Sequence, residues 1–160
     1  LRHVGVILKI ISGGQTGVDR GALDAALACG VPCGGWCPEG RKAEDGVIPA
    51  RYPVTELAGG DYGARTLKNV VDADATVMIY FEKRMGGTLE TQKACIHHHK
   101  PYLCIDATQH SPDQAAAKIN TFYNASKAKV LNIAGPRSSA ASRAQRYAEA
   151  AMTAFIKTSL

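Results

Sequence analysis

The chain has 160 residues, of which 46% are hydrophobic and 21% charged, the composition of an ordinary globular domain and not of a disordered chain. Nineteen basic and fourteen acidic residues leave a net charge of +5; this favours small anionic ligands, while the absence of a long lysine–arginine run argues against nucleic acid as a partner. No apolar stretch reaches the length of about 18 residues that a membrane span needs, and the first eleven residues lack the pattern of a signal peptide, so one cytoplasmic domain over residues 1–160 is expected. In chain order, apolar runs and helical periodicity predict a strand over 6–12, a helix over 18–29, a strand over 31–36 and an irregular segment over 37–60. They continue with a helix over 61–71, a strand over 75–81, a helix over 88–99 and a strand over 101–106. A helix over 112–126 capped by Ser111, a strand over 129–134 and a helix over 139–157 complete the chain.

Strands alternating with helices require a parallel sheet with crossover connections. The fold class is therefore α/β: a Rossmann-like, doubly wound domain with a mainly parallel sheet of about five strands and helices on both faces. If the strands take the common order 2-1-3-4-5, the first and third are neighbours where the order reverses, and ligands bind outside the carboxyl ends of strands at that point.

Three loops follow strands at that edge and lead into helices. They are Ser12-Gly13-Gly14-Gln15-Thr16-Gly17, Met85-Gly86-Gly87-Thr88, and Gly135-Pro136-Arg137-Ser138-Ser139. Glycine lets the backbone approach a ligand closely, and a helix N-terminus offers unpaired N–H groups and partial positive charge. Thr16, Thr88 and Ser138 add hydroxyls, and Arg137 adds a fixed charge. The loops fit neither the dinucleotide fingerprint nor the P-loop, since the glycine spacing differs and no Gly-Lys-Ser/Thr follows.

Within the irregular segment, Arg41, Lys42, Glu44 and Asp45 have two readings. Arg41 and Lys42 can hold an oxyanion while Glu44 and Asp45 accept hydrogen bonds from a ring; alternatively, the segment is a solvated loop with local ion pairs. Trp36 and Tyr52 are candidate stacking surfaces, Tyr52 also reading as loop packing. Arg20 reaches either the crevice or Asp24 one helical turn on, and Asp19 suits the dipole of the first helix turn. Five cysteines, an odd number, read as reduced thiols. Cys29, Cys33 and Cys37 are separated by helix-breaking glycine and proline, and no metal site is expected from them.

The segments from Ile11 to Asp24 and from Gly34 to Gly46, together with Gly86-Gly87-Thr88 and Asn132-Ile133-Ala134-Gly135-Pro136-Arg137, closely resemble the molybdenum carrier family. The resemblance covers about residues 7 to 155. The family is similar to a wider group that includes the Lonely Guy nucleotide hydrolases and DNA-processing proteins. The resemblance implies a Rossmann-like fold, a small phosphorylated ligand, molybdenum cofactor (molybdopterin) as the candidate cargo, and self-association as a dimer or tetramer. The implied ligand-binding residues are Gly13, Gly14, Gln15, Thr16, Gly17, Arg20, Arg41, Lys42, Glu44, Asp45, Gly86, Gly87, Thr88 and Arg137. Lonely Guy enzymes carry Pro-Gly-Gly-x-Gly-Thr-x-x-Glu with a catalytic glutamate. Here the proline and third glycine are missing and Glu90 follows Thr88 by two positions, a rotation of about 100° around the helix. No catalytic residue is assigned, and a binding protein is the primary reading, with a nucleotide-processing hydrolase or a nucleotide-sensing adaptor as alternatives.

Overall fold

A computed structural model describes residues 8–160. Its elements in chain order are β1 (Lys9–Ile11), α1 (Val18–Ala28), β2 (Cys33–Gly34), β3 (Trp36–Pro38), β4 (Lys42–Ala43), β5 (Gly46–Val47), β6 (Thr55–Leu57) and α2 (Tyr62–Asp72). There follow β7 (Ala75–Tyr80), α3 (Gly87–His97), β8 (Tyr102–Asp106), α4 (Pro112–Ser126), β9 (Val130–Ala134) and α5 (Ala144–Ser159). Residues 6 and 7 of the predicted first strand lie outside the described residues. No helix among the described residues is long and apolar enough to cross a membrane.

Five strands form a wholly parallel sheet in the order β2-β1-β9-β7-β8. The α/β, Rossmann-like class holds, but the strand order differs from 2-1-3-4-5. The last strand in sequence, β9, is inserted between β1 and β7, with Ile10 opposite Leu131 on one side and Thr76 opposite Asn132 on the other. Moving β9 to the start of the chain turns the order into the Rossmann order 3-2-1-4-5. The order therefore reverses between β9 and β7, not between β1 and β7.

Side chains alternate across the central strands. Leu131 and Ile133 of β9, with Val77 and Ile79 of β7, enter the core beneath α1, α4 and α5. There Phe155 meets Tyr123 edge to face at 5.4 Å. Full burial of each such large apolar side chain stabilises by about 1.5–3 kcal/mol. The other face carries Thr76, Asn132 and the α2–α3 pair. Asn132 Nδ2 donates to Thr76 Oγ1 there at 3.3 Å.

The predicted strand over 31–36 divides. Cys33 and Gly34 stay in the main sheet, and Trp36 leaves it to pair with Thr55 in the small β3–β6 sheet. Gly35 permits the departure: its φ is +122°, and a Cβ there would lie 2.0 Å from the Ser12 carbonyl oxygen. The segment read as irregular holds β3 to β6 and packs Cys37, Ala43, Ile48, Tyr52 and Val54 into an apolar cluster with Leu23 of α1. The final helix begins at Ala144, five residues later than predicted, because residues 138–143 form turns.

Candidate functional site

A cleft of about 610 Å³ opens at the carboxyl edge of β9 and β7, a volume in the range of small-molecule sites. Its walls come from the loops after β1, β7 and β9 and from α2. Six of the sequence-predicted residues line it: Gly13, Gln15, Gly86, Gly87, Thr88 and Arg137.

The three glycine loops play different parts. At α1, the N-cap Gly17 brings no side-chain cap, and Val18 N–H donates to the Pro136 carbonyl at 3.2 Å. A Cβ on Gly17 would lie 2.3 Å from that oxygen. Gly17 thus lets one loop close over another, and the α1 N-terminus does not open freely onto the cleft. At α3, the N-cap Gly86 is also uncapped by any side chain. A Cβ on Gly86 or Gly87 would meet nothing within 4 Å. Here the glycines leave empty space in front of a helix N-terminus, the environment that favours an anion.

The loop after β9 is engaged by Glu44. That carboxylate accepts from Ser139 N–H at 3.1 Å, from the Ser139 hydroxyl and from the Thr16 hydroxyl. These hydrogen bonds, Ser139's foremost, hold its pKa below the usual carboxylate range. Thr16 Oγ1 also accepts from Ser138 N–H at 3.1 Å. Asp45, next in sequence, receives a two-pronged hydrogen bond from Arg20 at 2.6 and 2.8 Å, which lowers its pKa. Arg20 therefore pairs with Asp45 and not with Asp24. Asp24 instead accepts from the Tyr52 hydroxyl at 2.7 Å and from Gln145 at 2.9 Å. Burial, first, and this bond push the Tyr52 phenol up to about 12.

Arg41 spends its guanidinium on the carbonyls of Ile48, Pro49, Tyr52 and Val54 at 2.9–3.1 Å. It braces the segment over β4 to β6. Arg20, Arg41, Lys42, Glu44, Asp45, Gly14, Thr16 and Gly17 lie outside the cleft lining. Trp36 does too, donating from its indole to Asp72 at 2.7 Å.

The cleft lining also contains Asp19, read from the sequence only as a helix-dipole residue, and Arg65 and Asn132, which were given no role. Asp19 and Arg65 are both buried, with Arg65 Nη1 3.8 Å from Asp19 Oδ2 and donating to the Gly13 carbonyl at 2.7 Å. A Cβ on Gly13 would collide with this guanidinium. Desolvation raises the Asp19 carboxyl to about 6, although Arg65 and the N–H groups of Gln15 and Gly13 oppose the shift. Asn132 stands beside them on β9. Its signal was a lone polar residue inside an apolar central strand; Arg65 left no local signal.

Gln15 is 5% exposed. Its Oε1 accepts from the N–H groups of Thr16 and Glu44, and its Nε2 is the one buried side-chain polar atom without a partner among the described residues. Such an orphan costs about 1–3 kcal/mol.

The sequence matches the model of the circularly permutated YpsA SLOG family over residues 10–156. No curated protein matches it. A solved structure from Syntrophus aciditrophicus SB, described as a "putative molybdenum carrier protein", is similar with 41% identity and a TM-score of 0.91, over 94% of this chain and 96% of that one. The displaced position of β9 is what a permuted Rossmann order produces. The chain belongs to the circularly permutated YpsA SLOG family.

Proposed function

We propose that the chain is a cytoplasmic, single-domain binding protein for a small phosphorylated heterocycle, with molybdenum cofactor as its cargo. The observation that carries this reading is the cleft itself. It combines an uncapped helix N-terminus behind two glycines with a buried donor, Gln15 Nε2, that lacks an acceptor among the described residues. Gly86, Gly87 and Thr88 would receive the phosphate, and Arg137 adds positive charge on the wall. These groups fit the organic part of such a cargo. None of the five cysteines lines the cleft, so the protein's hold would be on the pterin and phosphate. The similarity to a protein described as a "putative molybdenum carrier protein" supports a molybdenum-containing cargo.

Glu90, the counterpart of the Lonely Guy glutamate, is outside the cleft lining, exposed, and 3.7 Å from Lys93. This favours binding over base hydrolysis. Self-association accompanies the proposal: Leu67 and Val71 of α2 and Leu89 and Ile96 of α3 are exposed apolar side chains, and sedimentation would measure the expected dimer or tetramer.

The test is an anaerobic titration with molybdenum cofactor, with adenosine monophosphate as competitor. Saturable binding that the nucleotide displaces poorly is expected. No binding of the cofactor would overturn the cargo assignment. Release of adenine from the nucleotide, abolished in Glu90→Gln, would overturn the binding-protein reading in favour of an enzyme.

A further inference from the structure

Two groups of residues in the cleft lining differ in charge: Gln15 with Asp19, and the α3 N-terminus with Gly86 and Gly87. Two backbone N–H groups, from Thr16 at 3.0 Å and Glu44 at 2.9 Å, converge on one end of the Gln15 amide. Only the oxygen can face two donors, so the amide orientation is fixed by its surroundings. Nε2, with its two N–H bonds, must then turn the other way, where no acceptor among the described residues meets it. Gln15 lines the cleft, and a group bound there that reaches Nε2 would supply the missing acceptor.

The charge around Gln15 is already matched. Asp19 lines the same floor and accepts from the N–H of Gln15 at 3.2 Å. Arg65 lies against Asp19 and the Gly13 carbonyl. A phosphate on Gln15 Nε2 would press its charge against the Asp19 carboxylate, with the neighbouring guanidinium already paired. A neutral group meets no such repulsion. A carboxylate offers about four acceptor positions, and the N–H groups facing Asp19 do not exhaust them. The floor thus presents a donor beside an acceptor. The α3 N-terminus behind Gly86 and Gly87 presents N–H groups, positive potential and open space.

We propose that Gln15 and Asp19 read the edge of the heterocycle, Gln15 Nε2 donating to a ring carbonyl and Asp19 accepting from the neighbouring ring N–H, while the phosphate sits at the α3 N-terminus. The ligand class is a phosphorylated ring with a carbonyl next to an N–H, as in a pterin, guanine or hypoxanthine. This rests on the reading of the cleft as a site for phosphorylated heterocycles and adds which group of residues takes which part.

Calorimetric binding of guanosine 5′-monophosphate and of ribose 5-phosphate separates the two groups. The nucleotide is expected to bind at least about tenfold more tightly than the sugar phosphate. Gln15→Glu keeps the oxygen that Thr16 and Glu44 need and removes the donor. It is expected to erase the nucleotide's advantage and to leave ribose 5-phosphate within about twofold. Asp19→Asn, which keeps one acceptor oxygen, is the second variant and is expected to do the same. Unfolding curves of both variants establish that they are folded.

The proposal is overturned if Gln15→Glu weakens the sugar phosphate as much as the nucleotide, since the oxyanion then sits on Gln15. It is equally overturned if wild type binds both alike. Failure of both probes and of the molybdenum cofactor titration would instead bring down the underlying reading of the cleft as well.

Discussion

Asp19→Asn tests the electrostatics of the cleft floor through stability alone. Burial raises this carboxyl from 3.8 to about 6. The folded protein therefore holds the Asp19 proton more tightly than the unfolded chain does. The stability this gives is full below about pH 4 and is lost as pH rises through about 6. At about 1.4 kcal/mol per pH unit, the interval corresponds to about 3 kcal/mol for a residue that is 7% exposed. Asparagine is neutral at every pH, keeps an oxygen for the Gln15 N–H, and leaves Arg65 its 2.7 Å bond to the Gly13 carbonyl. The variant should be more stable than wild type by about 2–3 kcal/mol at pH 7.5 and by almost nothing at pH 4. Urea unfolding of both proteins across this range gives the difference curve. Glu44, Asp45 and Asp106 have lowered pKa values and lose their stabilisation as pH falls, but they do so in both proteins and cancel. A difference independent of pH, or a variant less stable than wild type at pH 7.5, would refute the assignment of a desolvated carboxylate.

Gly17→Ala should cost about 3 kcal/mol or more in thermal unfolding, because its Cβ would lie 2.3 Å from the Pro136 oxygen at a φ of +86°. Gly87→Ala meets open space; it should leave stability unchanged or raise it by up to about 1 kcal/mol, while weakening ribose 5-phosphate binding in calorimetry. Arg41→Lys removes most of four carbonyl contacts and should destabilise by about 2–4 kcal/mol with no change in ligand affinity. A permutant that joins residue 160 to residue 1 and opens after Lys127, the left-handed C-cap of α4, should unfold cooperatively and retain the cleft. Failure of that permutant to fold would contradict the strand exchange argued from the sheet order.

Much of the fold was legible because its signals are local. Ser111, Pro112 and Gln114 fix the start of α4, where the capping box forms as its residue types require. β7 and β9 announce themselves as apolar runs buried on both faces. The order of strands has no such signal, since placing β9 beside β1 depends on pairings across more than a hundred residues. β4 and β5 are two residues each, too short for a period of two to be recognised. The late start of α5 follows from Ser139, whose N–H and hydroxyl serve Glu44 instead of capping a helix. At the site, glycine was the readable signal and also the ambiguous one. Gly17 and Gly87 look alike in sequence, yet a Cβ on the first strikes backbone and on the second strikes nothing. One makes room for the protein and the other leaves it in the cleft. Arg65 arrives from 52 positions away, which no local pattern announces.

The permutation moves the loop in which a dinucleotide fingerprint would stand, and that loop, Gly135-Pro136-Arg137-Ser138-Ser139, does not carry it. In a Rossmann domain the loop after the central strand takes the pyrophosphate, and its glycines open the chain. Here the central strand is β9, so the corresponding loop lies near the end of the chain, at residues 135–143. Part of its anion-binding capacity is already used: Ser139, with Thr16 from the neighbouring loop, holds the chain's own Glu44 carboxylate. That contact ties the β4–β5 hairpin to the sheet edge, and the Arg20–Asp45 pair ties it a second time. The loop after β9 thus already holds an internal anion, the Glu44 carboxylate. The uncapped helix N-terminus left facing the cleft is α3, across the switch point, and Gln15 and Asp19 line the same cleft. The crevice between β9 and β7 thus stands where the strand order reverses, and the loops after β1, β7 and β9 line it.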